Sequence, residues 1–201
     1  MRSVLPPDGG SGRMKRLASM TAAILAVTLV LATSVLAAAP ASDKATAKFE
    51  VDFLTDMIDH HQMAVDIAET CTDRADNDQL AGLCEDIVAA QSSEVEMMQT
   101  WLADWYGVAY EPEMTPGMMA QMARLASLDG ADFEIAFMKT MIRHHTQAIG
   151  EAVGCLGRTV HDDLRAMCQD IISTQQAEIQ QMQGWLCDRH DRCGYFGARR
   201  P

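Results

Sequence analysis

Apolar side chains recur along this chain at helical spacing. Phe49, Phe53, Met57, Ala64, Ile67 and Cys71, with His60 among them, step by three or four residues and so share one face of a helix. A second face runs through Leu80, Cys84, Ile87, Gln91, Glu94, Met98, Trp101 and Trp105. Residues 72–78 between them read Thr-Asp-Arg-Ala-Asp-Asn-Asp, which supplies turn and N-cap chemistry. The pattern predicts an antiparallel helical hairpin over residues 42–106. Alternating β-branched runs are absent, so no sheet is required.

The same pattern returns 84 residues later. Phe49–Leu102 aligns with Phe133–Leu186 without a gap, with 22 identities in 54 positions. They include Phe49/Phe133, Met57/Met141, His60/His144, His61/His145, Cys71/Cys155, Cys84/Cys168, Gln91/Gln175, Glu94/Glu178, Met98/Met182 and Trp101/Trp185. This is an internal duplication, and it predicts a second hairpin over residues 131–190. Two hairpins make an all-α four-helix bundle. Residues 107–130 read as a linker in which Pro112, Pro116 and Gly117 break periodicity and Met118–Leu128 can form a short helix; residues 191–201 read as a tail.

The first 41 residues belong to a different class. Arg13, Lys15 and Arg16 precede a mostly apolar run from Leu17 to Leu36, followed by small residues, as in a secretory signal peptide cut after Ala37 or Ala41. An uncleaved membrane anchor is the alternative, since the run is close to spanning length. Met14 is as good a start as Met1. The full chain carries a net charge of −12, and without this leader −15, which disfavours nucleic acid or an anionic membrane as the main partner. All six cysteines lie after the leader, and an exported chain with an even number of them points to disulfides.

Cys71 and Cys84 are thirteen apart across the first hairpin neck, and Cys155 and Cys168 repeat that spacing in the second. We expect both pairs to be bridged, with Cys187 and Cys193 as a third pair. Zinc thiolates are the rival, weakened by the lack of any C-x₂-C spacing. If the neck cysteines face each other, equal rise along both helices places His61 opposite Glu94, Met57 opposite Met98, His60 opposite Val95 and Ala64 opposite Gln91. The second copy places His145 opposite Glu178, Met141 opposite Met182 and Ala148 opposite Gln175.

Each hairpin thus gathers two His, two Met and one Glu near mid-helix. Gln91 and Glu94 stand where apolar residues would pack, and a buried carboxylate costs several kcal/mol unless paired or metal-bound. One reading is a metal site of Met57, His60, His61, Glu94 and Met98, repeated as Met141, His144, His145, Glu178 and Met182. Thioethers favour Cu(I), imidazole suits several transition metals, and a glutamate would tolerate Cu(II). The other reading is a metal-free His–Glu–Gln network that fixes helix register. Met114, Met118, Met119 and Met122 read as adaptable packing over one bundle end, with a second soft-metal site or metal-transferring lid as the alternative. His161 and His190 lack histidine counterparts and read as surface residues.

Other chemistry finds no support. No G-x-G-x-x-G, P-loop, H-E-x-x-H or G-x-S-x-G occurs, nor the Glu-x-x-His pair of a di-iron bundle. Every cysteine has a partner, so a nucleophilic thiol is not expected.

The motif Phe-x₃-Phe-x₃-Met-Ile-x-His-His-x₂-Ala at Phe49–Ala64 and Phe133–Ala148, followed by Gln-x₂-Glu-[Val/Ile]-x₂-Met-x₂-Trp at Gln91–Trp101 and Gln175–Trp185, resembles the bacterial family catalogued as domain of unknown function 305. The resemblance covers about 140 residues. It implies a ferritin-like four-helix bundle and, for some exported members, copper binding linked to metal tolerance. Where that family commonly has Pro before the His pair, this chain has Asp59 and Arg143. The resulting expectation is an exported, periplasmic or extracellular protein that buffers or delivers copper, Cu(I) before Cu(II), to or from an unknown exchange partner. It is not expected to be an enzyme. A metal-free partner-binding module is the alternative, and a ferritin-like oxidoreductase a more distant one.

Overall fold

The computed structural model describes residues 39–193, so most of the leader and nearly all of the tail lie outside the described residues. Five helices follow one another: α1 Lys44–Arg74, α2 Asp78–Tyr106, α3 Pro116–Ala126, α4 Gly130–Leu156 and α5 Asp162–His190. No strand occurs among the described residues. No helix among them is long and apolar enough to cross a membrane.

Local chemistry explains the helix ends. Asp43 caps α1 through Thr46 N–H at 2.9 Å, and the Asn77 side chain caps α2 through the Gln79 and Leu80 N–H groups. Gly107, at φ 66°, closes α2 in the left-handed conformation that a glycine adopts without strain. The linker helix begins at Pro116, two residues before the predicted start. Thr115 caps it, and proline at the first helical position initiates the helix instead of breaking it.

α1 and α2 form one antiparallel hairpin and α4 and α5 the other, stapled by Cys71–Cys84 and Cys155–Cys168 with Cα–Cα distances of 6.0 and 6.4 Å. Cys187–Cys193 is the third bridge, and no described cysteine is free. The hairpins pack head to tail, joined chiefly through α1 against α4. One apolar cluster joins the neck of the first hairpin (Ile67, Cys71, Leu80, Cys84, Ile87) to the open end of the second (Phe133, Phe137, Met141, Met182, Leu186). Another joins the open end of the first (Phe53, Met57, Met98, Leu102, Trp105) to the neck of the second (Ala152, Cys155, Leu164, Cys168, Ile171). Met114 and Met118 pack on the former cluster, which includes Leu125, so these two linker methionines serve as packing there, whereas Met119 is exposed.

Residues that the duplication retained hold the two hairpins to each other. Arg74 lies over the Phe133 ring at 4.8 Å, and its repeat counterpart Arg158 lies over Phe49 at 3.7 Å. Glu134 of α4 accepts from Asn77 N–H at 3.0 Å at the neck of the first hairpin. Glu50 of α1 accepts from Val160 N–H at 2.8 Å at the neck of the second. Each hairpin therefore carries a carboxylate that caps a helix of the other.

Candidate metal centre

Between the two apolar clusters lies a polar layer at the middle of the four long helices. His61 and His145 are completely buried, and His60, His144, Gln91 and Gln175 nearly so. The register set by the neck cysteines brings His61 Nε2 to 2.8 Å from Glu94 Oε2 in the first hairpin. In the second, His145 Nε2 lies 2.6 Å from Glu178 Oε2, an oblique ion-pair contact outside hydrogen-bond geometry. Glu94 and Glu178 sit at the edge of the layer, their side chains 18% and 12% exposed.

His60 behaves differently from the expectation that it faces Val95 within its own hairpin. Its ring stacks on His144 of the other hairpin, with centroids 3.5 Å apart, and His144 Nε2 is 2.8 Å from the His60 carbonyl oxygen. These two histidines occupy equivalent repeat positions, so the stack lies where the two repeats meet. Burial pushes the His60 imidazolium down to about 3, with His61 and His145 adding to the effect. Burial, followed by the neighbouring His60, His145 and His61, also holds His144 well below its ordinary value. Both rings are neutral at physiological pH and need not shed a proton to offer a lone pair.

Several of these polar atoms have no partner. His60 and His145 have neither ring nitrogen hydrogen-bonded, and Nδ1 of His61 and His144 is likewise unpaired, as are Gln91 Oε1 and both amide atoms of Gln175. Each unpaired buried polar atom costs on the order of 1–3 kcal/mol. Packed near them are four thioethers with no exposure, Met57 and Met98 in one hairpin and Met141 and Met182 in the other. Among the described residues no three His, Cys, Asp or Glu side chains are grouped to hold an ion. In each hairpin the paired rings are 6.1 Å apart, His60 to His61 and His144 to His145. A site built here would therefore draw on the thioethers beside the imidazoles.

Two expectations fail. His161 is buried and not a surface residue: Nδ1 is 2.6 Å from Glu50 Oε2, Nε2 is 2.9 Å from the Ala39 carbonyl oxygen, and the ring stacks on Trp105 at 3.8 Å. Glu50 itself has no exposure. Burial pushes its pKa up, but Thr159, Tyr106, the Val160 N–H and His161 outweigh that and lower it overall. His190 is half-buried, with Nε2 3.6 Å from Glu134 Oε2. The identity Glu50/Glu134 was visible in the repeat, but nothing in one helix says which neck of the other hairpin it will meet.

Residues 50–186 match the family model described as Domain of unknown function (DUF305). The chain belongs to the DUF305 family. CopM in its Ag-bound form is 29% identical, with 70% of this chain and 97% of that chain covered at a TM-score of 0.63. CopM in its Cu(I)-bound form is also 29% identical, covering 68% and 94%, at 0.62. A DUF305 protein of Streptomyces coelicolor is 28% identical, covering 71% and 92%, at 0.63. No curated protein sequence matches the chain.

Proposed function

We propose that this DUF305 protein is exported and binds copper, buffering or delivering the ion without catalysing a reaction on it. The observation that carries this reading is the layer of buried, unpaired imidazole nitrogens beside four fully buried thioethers, retained in both repeats at a cost in stability. Imidazole with thioether is a donor set for Cu(I) above the harder divalent ions. The similarity to CopM, whose structures carry Cu(I), Cu(II) and Ag, supports it. The clusters that serve are Met57, His60, His61, Glu94 and Met98 with Met141, His144, His145, Glu178 and Met182. Three disulfides among the described residues favour an oxidising compartment, in keeping with the leader-like N-terminus.

A metal-free network keeps one observation on its side, since His61 and Glu94 already pair at 2.8 Å without an ion. Elemental analysis of protein purified from the exported fraction, with titration under reducing and oxidising conditions, separates the two. Copper held stoichiometrically, more tightly as Cu(I), supports the proposal. Intact, folded protein that retains no copper and competes with no Cu(I) chelator refutes it.

A further inference from the structure

We infer that Glu94 is a positioning residue and not a ligand, and that the atoms offered to the ion are Nδ1 of His61 and His144 together with the buried thioethers. This rests on the copper reading above and divides that site into atoms that bind and groups that hold them. Carboxylate and carbonyl oxygens only accept hydrogen bonds. A ring nitrogen 2.8 Å from Glu94 Oε2 or 2.8 Å from the His60 carbonyl oxygen must therefore carry the proton, because two lone pairs do not approach so closely.

In both rings that nitrogen is Nε2. A neutral imidazole carries one proton, so the lone pair is left on Nδ1, and in both Nδ1 is buried without a partner. Were His61 an imidazolium, its Nδ1–H would be a buried donor with no acceptor, which is the costlier arrangement. A histidine anchored through one nitrogen by carboxylate or carbonyl while the other faces an apolar interior is the arrangement that orients metal-binding imidazoles.

The carboxylates already engage the Nε2 edge of their rings and sit toward solvent, while the thioethers lie within the apolar clusters. With the carboxylates outside it, the donor set is neutral nitrogen and sulfur. Such a set suits a soft monovalent ion, and the nearby glutamate charge compensates it without touching it. His60 and His145 have neither ring nitrogen hydrogen-bonded, so neither tautomer is fixed by an anchor.

Long-range proton–nitrogen correlation spectra of the metal-free protein, labelled at histidine, report the tautomer of each ring. The expected result is protonated Nε2 in His61 and His144, followed on addition of Ag(I), a redox-inert counterpart of Cu(I), by movement of the Nδ1 signals with Nε2–H retained. Protonated Nδ1 in the metal-free protein, or loss of Nε2–H on Ag(I) binding, overturns the assignment. If no imidazole nitrogen and no methionine methyl moves at saturating Ag(I), the copper reading itself is wrong and the assignment falls with it. Glu94→Ala should weaken Ag(I) binding about 10- to 100-fold, the usual effect of losing such an anchor, without changing the stoichiometry. Glu94→Gln keeps an acceptor for Nε2–H and should restore most of that affinity, whereas a Gln variant as weak as the Ala variant makes the carboxylate a direct ligand.

Discussion

His60 and His144 are neutral rings placed where water does not reach, and their titration ties stability to pH in a definite direction. The folded His60 holds off protonation to about 3, whereas the unfolded residue takes a proton near 6.5. Between those values the unfolded state binds more protons, so stability is lost as pH falls through that window. For His60 alone the metal-free protein should be about 2 kcal/mol less stable at pH 5 than at pH 7.5. Denaturant melts at the two values check this, and His60→Gln should flatten the dependence. Met57 offers a second separation of packing from chemistry. Met57→Leu preserves volume and apolar character and should cost under ~1.5 kcal/mol in stability, yet weaken Cu(I) binding at the first hairpin sharply while affecting Cu(II) less. At this scale the His61–Glu94 level was legible in the sequence, because a helix of known rise stapled at one end has a fixed register. The His60–His144 stack was not, because it depends on how two separate hairpins dock.

The helices show where local rules suffice and where they do not. Asn77 caps α2 from within its own hairpin, but its repeat counterpart His161 makes no side-chain cap for α5. Glu50 from α1 instead holds the turn that leads into α5, accepting from the Val160 N–H, Thr159, His161 and Tyr106. Removing a buried carboxylate with that many donors leaves all of them unpaired, so Glu50→Ala should cost about 3–5 kcal/mol. Glu134→Ala should cost less, about 1–3 kcal/mol, because Asn77 still caps α2. Chemical denaturation of the two variants side by side tests the order. The disulfides act on the same elements through the unfolded state. Replacing Cys71 and Cys84 by Ser should remove about 2–5 kcal/mol, and non-reduced peptide mapping of the parent protein should recover Cys71 with Cys84 and Cys155 with Cys168. The spacing of these cysteines was enough to align each hairpin, whereas His161 and His190 were misread as surface residues because their carboxylate partners lie 111 and 56 positions away in the chain.

Across the whole molecule the N-terminal segment is part of the fold at least as far back as Ala39, whose carbonyl oxygen meets His161 Nε2. A leader cut after Ala37 keeps that contact and one cut after Ala41 removes it. N-terminal sequencing of the exported protein should therefore begin at Ala38. The reciprocal caps carry a consequence of another kind. Glu50 serves the second hairpin and Glu134 the first, and Arg158 and Arg74 cross in the same way, so the bonds that close the molecule run between hairpins and are indifferent to whether those hairpins share one chain. Two chains exchanging their second hairpins would re-form every cap, every stacked ring and both apolar clusters. Only the segment 107–115 between α2 and α3, long enough to let one chain fold back on itself, favours the monomer. Shortening it should convert the protein into a swapped dimer with two complete polar layers, each assembled from halves of different polypeptides.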